Sequence, residues 1–90
     1  MIVVAIHHAV EDYDRWKAGF DAFPPTDGEA LFARVNRAVD DPNTVAVVAG
    51  YETLEAAKAF LDSPELMQKM QEAGVVGEPR IEFYEEVASI

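Results

Sequence analysis

The apolar positions change period along the chain, and each period points to an element. From Ile2 to Ala9 the residues are almost all apolar, many of them β-branched, with His7 and His8 near the end. A run of that length and composition suits a strand buried on both faces. Glu11 and Asp12 then offer acceptors for the free N–H groups that open a helix. Tyr13, Trp16, Phe20 and Phe23 follow at spacings of three, four and three, which lays four aromatics along one helical stripe. Asp14, Arg15, Lys17 and Asp21 fall off that stripe and belong to water. Pro24-Pro25 stops the helix, because proline cannot continue the hydrogen-bond ladder.

Thr26-Asp27-Gly28 reads as a turn. Between Ala30 and Val39 the pattern switches to period two, with Leu31, Ala33 and Val35 on one side and Phe32, Arg34 and Asn36 on the other, the signature of a strand. Asp40-Asp41-Pro42-Asn43 is a dense turn cluster, and Thr44 to Tyr51 is a valine-rich strand. So short a connection makes the two strands an antiparallel hairpin. Thr53 caps a second helix whose apolar side holds Leu54, Ala57, Phe60 and Leu61. Ser63-Pro64 opens a third, serine as cap and proline in the first turn. Leu66, Met67 and Met70 face inward and Gly74 ends it. After bends at Gly77 and Pro79, Arg80 to Val87 forms a last strand, with Ile81, Phe83 and Val87 on one side and Tyr84 on the other.

The order strand, helix, strand, strand, helix pair, strand predicts one α+β domain over residues 1–90 with ferredoxin-like βαββαβ topology: a four-stranded antiparallel sheet with helices on one face. The other face is left uncovered. Depending on register it would display some of Val3, Ala5, Val45, Val47, Ile81 and Phe83. Half of the 90 residues are hydrophobic, rich for a domain whose core must be thin. A second copy of the chain covering that face, as a homodimer, absorbs the surplus.

Charge narrows the partners further. Seven basic residues stand against seventeen acidic ones, a formal net charge of −10, which disfavours nucleic acid and anionic membrane surfaces. No cysteine is present, so thiolate nucleophiles and disulfides are excluded. The apolar N-terminus is short and lacks a basic leader and a cleavage site, and no run approaches the roughly 20 residues of a membrane span. A cytoplasmic protein is the expectation.

Three stretches carry a likeness: His-His-Ala-Val-Glu-Asp-Tyr-Asp-Arg-Trp-Lys (7–17), Asp-Asp-Pro-Asn-Thr-Val (40–45) and Ser-Pro-Glu-Leu-Met-Gln-Lys-Met-Gln-Glu-Ala-Gly-Val-Val-Gly-Glu-Pro (63–79). They resemble the dimeric α/β-barrel superfamily, close to the antibiotic-biosynthesis monooxygenases and small cyclases. The resemblance implies two sheets from two subunits closing a barrel, with a small-molecule pocket between sheet and helices of each subunit. It implies no cofactor: in the monooxygenase branch the substrate itself activates oxygen, and in the cyclase branch a histidine starts an aldol-type ring closure. One scaffold hosts many chemistries, so it does not choose between them.

Histidine is the side chain that titrates near neutral pH unaided, which makes His7 and His8 the candidate catalytic residues. Neighbours on a strand point to opposite faces, so the pair cannot grip one metal ion. One histidine faces the helices and the other the far side, and the resemblance falls on His7 as the pocket residue. Trp16 and Tyr13 can stack on an aromatic ligand and donate a hydrogen bond, Trp16 as a wall of the pocket; plain core packing is the other role open to them. Phe32, Arg34 and Asn36 share one strand face and could hold the oxygens of a phenol, quinone or carboxylate, or simply solubilise that face. Tyr51 and Tyr84 are further donors at strand ends. No metal-ligand spacing, phosphate loop or nucleophile elbow occurs.

Two functions compete: an enzyme acting on an aromatic or polyketide-type molecule, monooxygenase-like or cyclase-like, and a non-catalytic dimeric barrel that binds a ligand or serves as an accessory subunit. A cavity of roughly 300 Å³ or more beside a histidine favours the first, and a filled interior the second.

Overall fold

A computed structural model describes all 90 residues. The elements run β1 (Ile2–Val10), α1 (Tyr13–Ala22), a 3-10 turn (Pro25–Asp27), β2 (Phe32–Ala38), β3 (Asp41–Tyr51), α2 (Leu54–Leu61), α3 (Pro64–Glu72) and β4 (Val75–Glu85). The sheet order is β2-β3-β1-β4, every pairing antiparallel. This is the ferredoxin-like βαββαβ arrangement expected from the pattern. No helix is long and apolar enough to cross a membrane.

Local chemistry sets the boundaries. The Asp12 side chain accepts from the Arg15 N–H at 3.1 Å and Thr53 accepts from the Ala56 N–H at 3.1 Å, each satisfying an orphan donor of a helix start. Ser63 occupies the cap position of α3 but makes no side-chain hydrogen bond, so that helix begins on Pro64 alone. Gly74, at φ +86°, closes α3 in the left-handed region that glycine enters at little cost.

Two strands differ from the sequence expectation, both through bulges. The hairpin turns at Val39–Asp40 and β3 already begins at Asp41. The pairing jumps from Arg37↔Val45 to Ala38↔Asp41. The extra residues, Pro42 among them, arch out there, because proline has no N–H for a ladder. Asp41 accepts from the Asn43 N–H and the Thr44 hydroxyl, and Asn43 in turn accepts from the Tyr13 N–H at 3.0 Å, pinning the hairpin to the start of α1. β4 likewise starts at Val75, not Arg80. Gly77, at φ +72°, carries it through a bulge between the pairs His7↔Arg80 and Ala9↔Val76, so the glycine and proline bend the strand without ending it.

Parity decides which face meets the helices. Val4, Ile6, His8 and Val10 of β1 and Val45, Val47, Ala49 and Tyr51 of β3 are buried beneath them. The opposite phase of β1 is Val3, Ala5, His7 and Ala9, with two alanines where this one has the larger valine and isoleucine. Burying the larger side chains removes more apolar area from water. Of the residues expected on the uncovered face, Val3 and Ala5 are there. Val45, Val47, Ile81 and Phe83 instead lie on the helix side, the last two about 40% exposed at the β4 edge. The uncovered face carries Phe32, Arg34 and Asn36 of β2, Ala46 and Val48 of β3, and Arg80, Glu82 and Tyr84 of β4.

Candidate functional site

The helix-side phase of β1 brings His8, not His7, under the helices. Its side chain is 7% exposed and meets the edge of Trp16 at 5.4 Å between ring centres. Trp16 is the one buried residue of α1 and stacks on Phe20 at 5.2 Å. The aromatic stripe of the first helix is therefore a wall facing the histidine. Ile6, Val47, Phe60 and Met70 complete a small chamber of about 60 Å³ beside it. Phe23 and Phe60 are shared with an outer basin of about 240 Å³ between the end of α1 and the α2–α3 junction, rimmed by Asp27, Ser63 and Glu65.

His8 Nδ1 is buried and has no hydrogen-bond partner. Burial lowers the imidazole's pKa, since the charged form loses its water; a backbone interaction with Ala9 opposes this in part, and the neighbouring His7 adds a smaller downward push. His8 is thus neutral at pH 7, and its imidazole is the one titratable group among the side chains that line the chamber.

The other expected site residues do not join it. His7 is half-buried on the uncovered face, between Ala46 and Arg80. The pocket histidine is thus one position further along than the resemblance placed it, for the reason of side-chain size given above. Phe32, Arg34 and Asn36 are also on that face, separated from the cleft by the sheet. Arg34 lies over the Phe32 ring at 4.2 Å, and Asn36 donates to the Ala46 carbonyl at 3.3 Å. Tyr13 flanks Trp16 at 6.0 Å but its own face is covered by Arg37 at 4.3 Å, and it does not line the chamber.

Tyr51 is on the helix side, yet six residues along β3 from Val45, the partner of His8, or about 20 Å. Its hydroxyl is buried without a partner. Burial, with a smaller contribution from Glu29, pushes that phenol up to about 12. Tyr84 donates to Glu82 at 2.9 Å, again on the uncovered face. No three metal-ligating side chains converge anywhere in the chain. Phe23, Phe60 and Met70 were not singled out from the sequence as site residues. Met70 carried a signal, as the inward residue of α3, but nothing in one sequence ties it to His8.

The class these features define is a ferredoxin-like α+β domain with one aromatic-walled cleft between sheet and helices. No protein-family model matches the chain, and no curated protein matches it by sequence. Solved structures do share its fold, several of them bearing the name antibiotic biosynthesis monooxygenase. SnoaB from Streptomyces nogalater, a cofactor-independent oxygenase, superposes with a TM-score of 0.79 at 12% identity, over 99% of this chain and 95% of that one. A provisionally named antibiotic biosynthesis monooxygenase from Deinococcus radiodurans gives 0.73 at 16% identity, over 100% and 96%. A conserved protein from Methanosarcina mazei Go1 gives 0.74 at 13% identity, over 92% and 89%.

Proposed function

We propose that this protein binds a flat, electron-rich aromatic molecule in the cleft and that His8 acts there as a general base, beginning a cofactor-independent, monooxygenase-like reaction. The observation that carries the reading is a neutral histidine in the wall of an aromatic chamber, its Nδ1 buried without a hydrogen-bond partner. An unsatisfied buried polar atom costs about 1–3 kcal/mol, and sites of function are where such costs are retained. The shared fold with SnoaB adds support for oxygen chemistry without a cofactor.

With an anthrone-type substrate, His8 takes a proton from the acidic ring carbon and leaves a delocalised carbanion. The carbanion gives one electron to dioxygen, and the radical pair combines to form a C–O bond. His8 returns the proton to the outer peroxide oxygen. Loss of the remaining C–H proton then breaks the O–O bond, yielding a ketone and water. One oxygen atom stays on the product, and the substrate supplies every electron. The same first proton removal would open a cyclase-like aldol closure, which consumes no oxygen.

A second reading, a non-catalytic ligand-binding or accessory protein, is favoured by one observation: only about 60 Å³ is open beside His8, well short of a ligand's volume. Oxygen uptake with anthrone as the probe separates the two. A general base contributes about 10²–10⁴-fold, so the wild-type chain should accelerate uptake by that order and His8→Leu should abolish the gain. Binding without acceleration supports the second reading.

We further propose that a second copy covers the open sheet face, as the count of apolar residues suggests, and that Phe32, Arg34, Asn36 and His7 belong to that interface and not to the cleft. Arg34 and Glu82 stand in the same cross-strand row with Val48 and Ala5 between them, an apolar centre with opposite charges at its ends, suited to two-fold pairing.

A further inference from the structure

The β4 bulge leaves His8 without a cross-strand neighbour on that side, because the ladder is broken between His7 and Ala9. Beside the bulge lies a basin of about 240 Å³ between α3 and β4, bordered by Met67, Gln71, Gly77, Glu78 and Pro79. One side chain, Met70, borders both this basin and the chamber holding His8. It is half-buried on a helix that has no buried residue, and methionine is the most pliable of the apolar side chains. Charge is distributed to match. The chamber has no charged group, its one titratable residue being the neutral His8, and the only charged residue of the α3–β4 basin is Glu78. An anion entering from there meets no counter-charge, whereas a neutral hydroxyl meets the uncharged imidazole of His8.

We propose that Met70 is the movable partition between this basin and the His8 chamber, and that the occupant admitted when it swings aside is an uncharged hydroxyaromatic molecule whose hydroxyl meets the His8 imidazole. This rests on the cleft reading above and gives it a specificity-determining residue and a ligand charge. Displacing Met70 joins the 60 Å³ chamber to the 240 Å³ basin, which reaches the size of small-molecule sites, about 300 Å³ and upward.

The test is calorimetric titration of the full chain with 2-naphthol and with the 2-naphthoate anion. The single tryptophan stands in the chamber wall, so its indole N–H NMR signal reports where the probe sits. Met70→Ala should bind 2-naphthol about tenfold or more tightly than wild type, and Met70→Phe about tenfold or more weakly. The Trp16 signal should shift in each bound form, and naphthoate should bind about tenfold or more weakly than naphthol throughout. Equal naphthol affinity in wild type and Met70→Ala overturns the partition, and naphthoate binding as well as naphthol overturns the charge selection. If Met70→Ala does not melt cooperatively, Met70→Leu against Met70→Phe gives the same answer: equal affinities overturn the proposal.

His8→Leu separates this inference from the reading it rests on. Met70-dependent binding that ignores His8 keeps the partition and removes the histidine's role. His8-dependent binding that ignores Met70 does the reverse, and no binding by any variant overturns both.

Discussion

Replacing His8 by leucine should stabilise the protein, and by an amount that grows with acidity. The side chain is 7% exposed and its Nδ1 has no partner, so the desolvation left unrecovered is about 1–3 kcal/mol. Leucine is of similar bulk and carries no polar atom. It forfeits the edge contact with Trp16 at 5.4 Å, worth about 0.5–1.5 kcal/mol. The difference is a net gain of about 1 kcal/mol at pH 8, or roughly 4–8 °C in Tm for a domain this size.

Burial lowers the folded-state pKa of His8 below its ordinary 6.5. Below pH 6.5 the unfolded chain therefore binds the extra proton, and stability falls with pH until the folded pKa is reached. His8→Leu lacks this loss. The carboxylates are common to both proteins and cancel in the comparison. Thermal or urea unfolding of both chains at pH 8 and 5.5 measures it. The reasoning fails if His8→Leu is less stable than wild type at pH 8, or if the gap does not widen on acidification.

Other expectations follow from single contacts. A Cβ built on Gly50 would lie 2.3 Å from the Phe32 ring, so Gly50→Ala should cost about 1–3 kcal/mol by overpacking. In a Phe32→Ala background most of that cost should vanish, which a denaturant double-mutant cycle reads directly. Tyr51→Phe removes a buried, unpartnered hydroxyl and should be neutral or stabilising by about 1 kcal/mol in chemical denaturation; a loss of that size would show that the hydroxyl has a partner. Val48→Glu, at the centre of the uncovered face, should convert a dimer to a monomer in sedimentation equilibrium, and a wild-type chain already monomeric at micromolar concentration would refute the pairing.

Element types and their order were legible from period and composition together: twofold alternation in β2, β-branched apolar runs in β1 and β3, helical stripes in the helices, and turn residues between them. The alternation of Phe32, Arg34 and Asn36 against Ala33 and Val35 is realised as read. What sequence left open was phase. β1 is apolar on both sides, so periodicity does not tell which of His7 and His8 faces the helices. The sizes of Val4 and Ile6 against Ala5 and Ala9 were the available clue, and the resemblance pointed the other way. Bulges were the second blind spot. Gly77 and Pro79 read as the end of one segment and the start of another, but a glycine at positive φ lets the strand continue on both sides of an irregularity. The companions of His8 come from β3, α1, α2 and α3, and such long-range meetings leave no local trace.

The small volume beside His8 follows from which side chains fill it, and this predicts where the molecule yields. Phe23 is 53% exposed, Met70 belongs to a helix with no buried residue, and that helix starts at a serine that makes no side-chain cap. β1, by contrast, is paired with β3 from Ile2 to Ala9 and with β4 everywhere but at His8. Segments with few buried apolar contacts open at the low end of the local stability range, and paired central strands near the global limit. Amide hydrogens of α3 should therefore exchange at least about tenfold faster than those of Val4 to His8. Saturation with 2-naphthol should slow α3 more than α2, since the occupant settles against Met70 and closes the helix down on the sheet. Equal protection of α3 and β1 in the free chain would mean that the chamber is rigid at 60 Å³, and a rigid chamber of that size admits no aromatic ring to His8.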